Sequence, residues 1–217
     1  MNVGVIGAGR IGGNCARQAV KGGHAVLLSF SRGQATLEAL AAELGGRAGT
    51  PADAVAFGDV VIVSVPWGAI DEALAQAGDL TGKVVIDTTN QFGDGPKPEP
   101  GETAAAFNAR RMTGARYTKS FNTLTAGFQA VAADRRTDER VVQWICGDDA
   151  DAKGIVGSLI VDMGYLPVDL GGTETCSVME SPRRAGSVYG EEYRAADVQA
   201  VLDAVAAGRP IPQPPTY

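Results

Sequence analysis

The sequence predicts an α/β fold: a doubly wound parallel sheet with a short helical extension at its C-terminal end. Three observations predict it. Short apolar runs alternate with segments of helical periodicity along the first 172 residues. One of these runs, residues 60–65, is β-branched almost throughout, which is typical of a strand buried on both faces. The first run leads directly into a G-x-G-x-x-G motif, and a helical segment follows.

The glycine motif lies between a predicted strand over residues 1–6 and a predicted helix over residues 13–20. Gly7 permits the tight turn out of the strand, Gly9 lets a pyrophosphate approach the backbone, and Gly12 allows close packing of helix on strand. The start of the helix has free N–H groups, and its dipole favours phosphate. The alternative is a structural turn without a ligand. The motif predicts dinucleotide binding by Gly7, Ala8, Gly9, Arg10, Ile11 and Gly12.

The end of the second strand indicates which dinucleotide binds. The apolar run over residues 25–28 is followed by Ser31 and Arg32, and no acid occurs between Gly4 and Glu38. A site selective for NAD would place Asp or Glu here to hold the ribose 2′-hydroxyl. A hydroxyl and a guanidinium suit a 2′-phosphate instead. The pattern favours NADP over NAD, with a solvated arginine as the alternative interpretation of Arg32.

The rest of the chain continues the alternation of strands and helices. Further strands are predicted at residues 47–49, 60–65, 84–87, 116–121, 141–146 and 166–169. Further helices are predicted at residues 34–44, 51–57, 69–77, 102–111, 150–163 and 195–207. Val198, Val201, Leu202 and Val205 share one face of the last helix, which predicts that it packs on the core or on a second subunit.

The chain of 217 residues is divided by the pattern into two parts. Residues 1–172 form the predicted dinucleotide-binding domain, and residues 173–217 form a small C-terminal extension packed on it, with a Pro-rich mobile tail from about residue 208. Residues 91–101 form a loop rich in Pro and Gly after the fifth strand. This loop is either a lid over the site or an inert surface excursion.

Composition and charge exclude several classes of protein. The net charge of −6 argues against a nucleic-acid partner, and no apolar run is long enough to span a membrane. No signal peptide precedes the first strand, so we expect a cytoplasmic protein. Its three cysteines, Cys15, Cys146 and Cys176, are widely spaced and lack companions with metal-ligand spacing. We therefore expect reduced, mostly buried thiols and no metal site.

Further candidate site residues follow the ends of predicted strands, because ligands of open α/β sheets bind outside the carboxyl ends of the strands. Asn90 and Asn122 can hydrogen-bond an amide or a ring edge, although asparagine also favours turns. Trp67 either flanks the adenine or nicotinamide half of the cofactor or caps a strand as a core aromatic. The predicted cofactor-binding residues at these strand ends are Val65, Pro66, Trp67, Asn90, Asn122 and Thr123.

The residues available for proton transfer favour one reaction class. Reduction of a ketone needs a proton donor, and His24 precedes the second strand, at the wrong edge of the sheet. Lys97, Tyr117 and Lys119 remain candidate donors, although the last two lie along a predicted strand. Hydride transfer to a flavin-like ring mainly needs two stacked rings in a water-poor slot. We therefore assign no catalytic residue and predict an NADP-dependent oxidoreductase whose acceptor is a flavin or deazaflavin.

Two other functions remain open at this point. One is reduction of a carbonyl or imine in a small substrate, with Lys97 or Tyr117 as the proton donor. The other is a non-catalytic NADP-binding module that reports redox state to a partner. Arg183 and Arg184 either hold an anionic acceptor tail or a partner subunit, or are solvated charges.

The sequence also resembles a known family in residues 4–12, 31–32, 85–90 and 119–123. It is similar to predicted dinucleotide-binding oxidoreductases that are related to NADPH-dependent reductases of the deazaflavin coenzyme F420. It is also similar to the cytosolic reductase domain of six-transmembrane metalloreductases, in which a Lys-x-Phe-Asn-Thr segment matches residues 119–123 and an Asp-x-Gly segment matches residues 169–171. The resemblance runs to about residue 172. It implies a Rossmann fold, NADP at the glycine motif and at Ser31 and Arg32, and a flavin or deazaflavin ring facing the nicotinamide. A homodimer is one expectation for its assembly.

Overall fold

A computed structural model describes residues 1–30, 33–133 and 135–217. It contains a six-stranded, all-parallel sheet in the order β3-β2-β1-β4-β5-β6. The strands are β1 (Asn2–Ile6), β2 (Ala25–Ser29), β3 (Arg47–Ala48), β4 (Val60–Val63), β5 (Val84–Asp87) and β6 (Arg116–Lys119). The order reverses direction between β1 and β4, which creates a crevice at the carboxyl ends of these two strands. The predicted doubly wound parallel fold is thereby confirmed.

Helices cover both faces of this sheet. They are α1 (Arg10–Lys21), α2 (Gln34–Leu44), α3 (Pro51–Phe57), α4 (Ile70–Ala77), α5 (Ala104–Arg111), α6 (Ala126–Ala132), α7 (Ala150–Asp162) and α8 (Val198–Ala206). Alternate strand residues face opposite layers: Val60 and Ile62 pack on the side of α1, α2, α6 and α7, whereas Val61 and Val63 pack on the side of α3, α4 and α5. The sheet therefore has two apolar cores, and its carboxyl edge is left for polar residues.

Side-chain caps define where several helices begin. Thr50 and Asp53 form a reciprocal capping box at α3, with Pro51 in its first turn. Thr125 caps α6, a helix that the sequence analysis missed, by accepting a hydrogen bond from the Phe128 amide. In contrast, Gly9 begins α1 without any side-chain cap. The first amides of α1 therefore remain available to a ligand.

Two strands do not continue the main sheet, although the alternation of the sequence suggested that they would. The strands β7 (Val142–Ile145) and β8 (Leu166–Asp169) form a separate parallel pair. This pair meets β6 through one antiparallel bridge between Lys119 and Cys146. Gly147 follows with a φ of 159° and lies so close to the Tyr117 carbonyl oxygen that a side chain there would collide with it. The chain thus crosses the end of β6 instead of adding a parallel strand.

The strand predicted over residues 116–121 ends at Lys119, two residues early. Phe121 adopts the left-handed conformation, with a φ of 58°. This conformation is unfavourable for a bulky side chain, and the fully buried Phe121 ring, packed edge-on against Tyr165, holds it in place. The turn at Phe121 directs Asn122 and Thr123 away from the sheet.

The C-terminal extension packs against the rest of the chain through buried residues. Tyr193 packs edge-on against Trp144 of β7, and the last helix buries Val201 and Ala204. Val198, Leu202 and Val205 also contact the core, so this face of the helix seals the protein interior. Within the tail, Ile211 is buried and bridges Gly186. The division into two domains and the mobility of the tail stay predictions.

The expectation of three reduced thiols is wrong. Cys146 and Cys176 form a disulfide, with their Cα atoms 6.0 Å apart, a separation suited to the bond. The two residues lie 30 positions apart in the chain; Cys146 directly follows β7, and Cys176 lies in the segment after β8. Cys15 is buried and free. Over the residues that the structure describes, no helix is both long and apolar enough to cross a membrane.

Candidate functional site

A cleft of about 490 Å³ opens at the carboxyl edge of the sheet. Its walls come from the first turn of α1, the ends of β4, β5 and β6, the start of α6, and two irregular segments. The lining residues are Gly9, Arg10, Ile11, Ser64, Val65, Pro66, Trp67, Thr88, Thr89, Asn90, Phe92, Phe121, Asn122, Leu124, Thr125, Ala126 and Tyr189. Eight of the predicted cofactor-binding residues are among them. Whether these residues bind the cofactor stays a prediction.

The three motif glycines have different steric surroundings. Gly7 has a φ of 104°, which a residue with a side chain rarely adopts, so it forms the turn out of β1. A Cβ atom on Gly12 would lie 2.0 Å from the Gly7 carbonyl oxygen, so α1 packs against this turn only because residue 12 is glycine. A Cβ atom on Gly9 would meet no protein atom within 4 Å. Space for a ligand therefore lies directly in front of Gly9.

A second depression, of about 440 Å³, shares Gly9, Arg10 and Pro66 with the cleft and extends to Gly7 and Phe30. It leads towards the end of β2, where a wider depression of about 760 Å³ is lined in part by Phe30, Gln34 and Thr50. Ser31 and Arg32 follow Phe30 in the chain but lie outside the described residues, so their predicted contact with a 2′-phosphate stays a prediction. Ala8 packs partly against the core, beside the turn.

Asn90 and Asn122 bind each other across the cleft floor. The Asn90 side-chain amide donates to the Asn122 carbonyl oxygen at 2.8 Å, and the Asn122 amide donates to Asn90 Oδ1 at 3.1 Å. The Asn122 amide also donates to the Met179 carbonyl oxygen at 2.6 Å. Two buried acceptors nearby, Asn122 Oδ1 and Thr123 Oγ1, have no hydrogen-bond partner among the described residues. Asn122 lines the cleft, so a bound molecule with an N–H or O–H group would satisfy Asn122 Oδ1.

Trp67 lines the cleft but is only 2% exposed. Its indole Nε1 donates to the Pro96 carbonyl oxygen at 2.7 Å, and its ring stacks on Phe107 with centroids 5.9 Å apart. The hydrogen bond to Pro96 ties the loop of residues 91–101 to Trp67, and the stacking on Phe107 holds Trp67 against α5. Both interpretations of Trp67 from the sequence thus have a basis: the ring lies at the cleft, and it also anchors the structure around it.

Phe92 and Tyr189 form an aromatic pair on the cleft wall, with ring centroids 6.5 Å apart. Phe92 is 57% exposed, which is unusual for a phenylalanine in an ordered segment. Neither residue was predicted from the sequence. Phe92 lies in the loop after the fifth strand, and sheet topology could have indicated that this loop borders the site. Tyr189 lies in a segment without periodicity, so nothing in the sequence indicated its position.

A buried polar cluster lies beneath the cleft floor. The fully buried side chains of Asp87 and Lys119 form an ion pair at 3.3 Å, and the Lys119 ammonium also donates to the Thr89 carbonyl oxygen at 2.7 Å. The Tyr117 hydroxyl and the Asn108 amide donate to Asp87 Oδ2 at 2.6 and 2.9 Å. The Thr89 amide donates to Asp87 Oδ1 at 2.7 Å. The cluster thus fixes both peptide groups of Thr89, a residue of the cleft.

This environment changes the acidity of the buried groups. Burial alone would raise the pKa of the Asp87 carboxyl, but the Lys119 ammonium and three donated hydrogen bonds outweigh it and hold this pKa below its usual range. Burial and the neighbouring Asp87 charge raise the pKa of Tyr117 well above its usual value. Tyr117 is therefore a protonated donor whose hydrogen bond is already committed to Asp87.

The proton donors proposed from the sequence do not lie in the cleft. Tyr117 and Lys119 are buried beneath it, and Lys97 is exposed on the loop and absent from the lining. His24 is placed beyond the amino end of β2, beside Asp162 at 3.2 Å. Among the described residues that line the cleft, Arg10 and Tyr189 alone carry ionisable side chains.

Arg183 and Arg184 make contacts within the C-terminal extension. Arg183 forms an ion pair with Glu191 at 2.7 Å, and Arg184 donates to the carbonyl oxygens of Glu180 and Pro182. Both side chains are exposed, and neither lines the cleft.

The site fits a dinucleotide on two observations. A ligand can approach the Gly9 backbone without collision, and the uncapped first turn of α1 supplies N–H groups that suit a pyrophosphate. On this prediction, Gly7, Gly9, Arg10 and Ile11 would hold the phosphates, and Val65, Pro66 and the Asn90–Asn122 bridge would border the nicotinamide half.

Comparison with known proteins agrees with this geometry. Residues 2–91 match the family model described as NADP oxidoreductase coenzyme F420-dependent. The chain is 26% identical over 179 residues to metalloreductase STEAP3 from Rattus norvegicus, an alignment that covers 82% of this chain and 36% of the relative. The chain thus spans about a third of the length of that curated relative. Both resemblances stated from the sequence are confirmed.

Solved structures extend the likeness beyond residue 91. A hypothetical protein from Sinorhizobium meliloti has a TM-score of 0.78 and 28% identity, covering 89% of this chain and 95% of its own. A structure described as a putative F420-dependent NADP reductase from Arthrobacter sp. FB24 has a TM-score of 0.67 and 25% identity, covering 81% and 87%. An imine reductase from Myxococcus stipitatus has a TM-score of 0.60 at 21% identity, covering 79% and 54%, and shares the fold alone.

The glycine turn at α1, the reversal of strand order beside it and these matches lead to one assignment. The chain has a Rossmann fold and is similar, over residues 2–91, to the coenzyme F420-dependent NADP oxidoreductases.

Proposed function

We propose that the protein transfers a hydride between NADP(H) and a flavin or deazaflavin acceptor of the coenzyme F420 type. The observation that carries this proposal is the aromatic pair Phe92–Tyr189, which stands on the wall of the same cleft as Gly9. NADPH, when bound, supplies the hydride. Phe92 and Tyr189 offer flat apolar surfaces to a heteroaromatic ring, and Val65, Pro66 and Leu124 exclude water from the space beside it.

The positions of the two donors named for a carbonyl or imine reductase also favour a ring acceptor. Lys97 and Tyr117, the donors that a carbonyl or imine reductase would use, do not line the cleft. Transfer between two stacked rings depends mainly on holding them at the correct distance. The Asn90–Asn122 bridge and the buried Asp87–Lys119 pair supply that rigidity, because they fix the ends of β5 and β6.

The test is the anaerobic loss of NADPH absorbance with coenzyme F420, FMN and riboflavin as separate acceptors. The same assay is run with cyclic imines and ketones as acceptors. Every measurement is repeated with NADH in place of NADPH. Turnover with a deazaflavin or flavin, faster with NADPH than with NADH, supports the proposal. Turnover confined to imines or ketones would assign the protein to the alternative reductase class. Tight NADPH binding without any turnover would favour the third function, a non-catalytic NADP-binding module that reports redox state.

A cytoplasmic location and a homodimeric assembly belong to this proposal and rest on the sequence expectations. The Cys146–Cys176 disulfide is unusual for a cytoplasmic location, because cytosolic thiols are usually kept reduced. Thiol trapping in intact cells, combined with fractionation, tests the location. Light scattering of the purified chain tests the assembly.

A further inference from the structure

Tyr189 is held firmly on the cleft wall by the residues on either side of it. The Val188 amide donates to the Val178 carbonyl oxygen at 2.8 Å, and the Val188 side chain is fully buried. The Gly190 amide donates to the Thr123 carbonyl oxygen at 2.8 Å. Because the residues before and after Tyr189 are both hydrogen-bonded, the backbone of Tyr189 is held in one position and its ring lines the cleft. One of those anchors, Thr123, immediately follows the Asn90–Asn122 bridge.

The Tyr189 hydroxyl differs from the other phenols of the chain. Each of the other four tyrosine hydroxyls donates a hydrogen bond to a protein acceptor: Tyr117 to Asp87, Tyr165 to the Gln129 carbonyl, Tyr193 to the Pro212 carbonyl and Tyr217 to Asp197. No such acceptor is recorded for the Tyr189 hydroxyl among the described residues. Its proton is therefore available to a molecule in the cleft.

No other ionisable side chain described on the cleft wall can take the same role. Arg10 is the alternative, and a guanidinium does not release its proton in proteins. The alcohols of Ser64, Thr88 and Thr125 are far weaker acids than a phenol. Burial raises the pKa of Tyr189 above its usual value, so the phenol is protonated at neutral pH. The side chain is thus present in the form that donates.

We propose that Tyr189 is a catalytic residue that donates its phenolic proton to the acceptor as the hydride arrives. This inference rests on the proposed function and identifies the source of the proton that accompanies hydride transfer. The hydride bonds to one atom of the acceptor ring, and the displaced π-electron pair moves to a conjugated ring nitrogen. That nitrogen takes the proton from Tyr189 Oη, and solvent at the open cleft returns a proton to the phenolate. The sum is one hydride and one proton added to the acceptor.

This role narrows the class of acceptor. The acceptor carries a heteroatom conjugated with the atom that receives the hydride, and the heteroatom faces Tyr189. Deazaflavins and flavins meet this requirement through a nitrogen of the pyrimidine ring. Phe92, whose ring lies beside Tyr189, would keep the acceptor ring in this orientation.

The test compares Tyr189→Phe with the wild-type enzyme and with Tyr217→Phe, which removes a phenol from an exposed residue far along the tail. With the best acceptor from the panel, we expect kcat of Tyr189→Phe to fall at least about 100-fold, as is usual when a general acid is lost. The Kd for NADPH should not change. The solvent deuterium isotope effect on kcat should decrease or disappear in Tyr189→Phe and persist in Tyr217→Phe.

A binding measurement supports the same test without turnover. Fluorescence titration of the acceptor into the complex with NADP⁺ should show affinity weakened roughly 2- to 12-fold in Tyr189→Phe, as expected for one lost hydrogen bond. Unchanged kcat and unchanged acceptor affinity in a folded Tyr189→Phe would overturn the role of Tyr189 and leave the proposed function standing. A wild-type enzyme that transfers hydride to no acceptor would overturn the proposed function, and this inference with it.

Discussion

Asn90 and Asn122 join the chain segments that leave β5 and β6: the Asn90 side-chain amide donates to the Asn122 main-chain carbonyl oxygen at 2.8 Å, and the Asn122 side-chain amide donates to Asn90 Oδ1 at 3.1 Å. Asn122 extends this link to the C-terminal extension through the Met179 carbonyl oxygen, and Asn90 Oδ1 accepts from the Ser181 amide at 3.3 Å. Two residues therefore connect the sheet edge with the segment that carries Tyr189. The amide groups of asparagine, which act as donor and acceptor at once, suit this junction.

Replacement of Asn122 by Ala should destabilise the protein and weaken ligand binding together. The Met179 carbonyl would lose its side-chain donor and Asn90 Oδ1 would lose one of its two donors, in a largely buried position, so we expect a loss of about 1–3 kcal/mol in the free energy of unfolding. Urea denaturation measures it. Gln199→Ala, on an exposed face of α8, is the control and should change stability by less than about 0.5 kcal/mol. Equal effects of the two variants would contradict the bridging role.

Replacement of Gly9 by Val should abolish dinucleotide binding while the chain remains folded. Gly9 has an ordinary extended backbone, and a Cβ atom there meets no protein atom within 4 Å, so the fold tolerates the side chain. A ligand in that space would collide with it, and we expect Kd for NADPH to rise more than about 10-fold, or 1.4 kcal/mol. Gly154→Val, at an equally open position on α7, is the matched control. Unchanged affinity would mean that the motif is structural.

Replacement of Arg32 by Ala tests the preference for NADP predicted from the sequence. Loss of a charge-assisted contact with the 2′-phosphate should weaken NADPH binding about 10- to 150-fold and leave NADH binding nearly unchanged. Isothermal titration with both nucleotides measures the ratio. Arg136→Ala removes an exposed arginine that pairs with Asp138 and should alter neither affinity. Similar losses for the two nucleotides would refute the NADP assignment of Arg32.

Replacement of Lys119 by Met should strongly destabilise the protein. It would leave the Asp87 carboxylate buried without its cation, a change that typically costs about 3–5 kcal/mol. The double variant with Asp87→Asn should recover part of this loss, because no uncompensated charge then remains. Chemical denaturation of the two single variants and the double variant measures the coupling. Strict additivity would show that the two side chains do not interact.

The same carboxyl should make stability depend on pH in the acid range. The folded-state pKa of Asp87 lies below its value in the unfolded chain, near 3.9. Its ionised form therefore stabilises the folded state above about pH 3.9, and this stabilisation is lost as the pH falls through the folded-state pKa. Denaturation curves from pH 6 to pH 2 should show a shallower acid decline in Asp87→Asn. Parallel declines would place the acid sensitivity elsewhere.

The disulfide predicts a defined thiol count. When the chain is denatured without reductant, it should expose one thiol, that of Cys15. After reduction it should expose three thiols. In the folded state Cys15 should not react, because burial raises its pKa to about 12. Opening a cross-link that spans 30 residues should lower the free energy of unfolding by about 3–4 kcal/mol. Three reactive thiols before reduction would contradict the pairing.

The sequence was informative wherever a single local requirement determines structure. Val60–Val63 could be assigned to a buried strand because β-branched residues in an unbroken apolar run have few other favourable conformations. Gly7 and Gly12 were assigned correctly because turn geometry and steric contact each demand glycine. These are short-range constraints, and they fixed the fold class and the position of the cleft.

Long-range contacts account for what the sequence did not predict. Cys146 and Cys176 pair because the chain crosses the end of β6, and their spacing alone does not encode that crossing. Tyr189 reaches the cleft through hydrogen bonds of its neighbours with Val178 and Thr123, in a segment without periodicity. Helix α6 was missed because seven residues, including Gly127, give a weak helical signal without the cap that Thr125 provides.

The hydrogen bond from the Val142 amide to the Tyr193 carbonyl oxygen, at 2.9 Å, has a consequence for solubility. The small pair of β7 and β8 has an open side on β7, and an unpaired strand edge is a template for association with other chains. Tyr193 occupies that edge with its backbone, while its ring covers Trp144. The C-terminal extension thus covers an unpaired strand edge as well as bordering the cleft. A chain shortened before Tyr193 would expose that edge to other chains and aggregate.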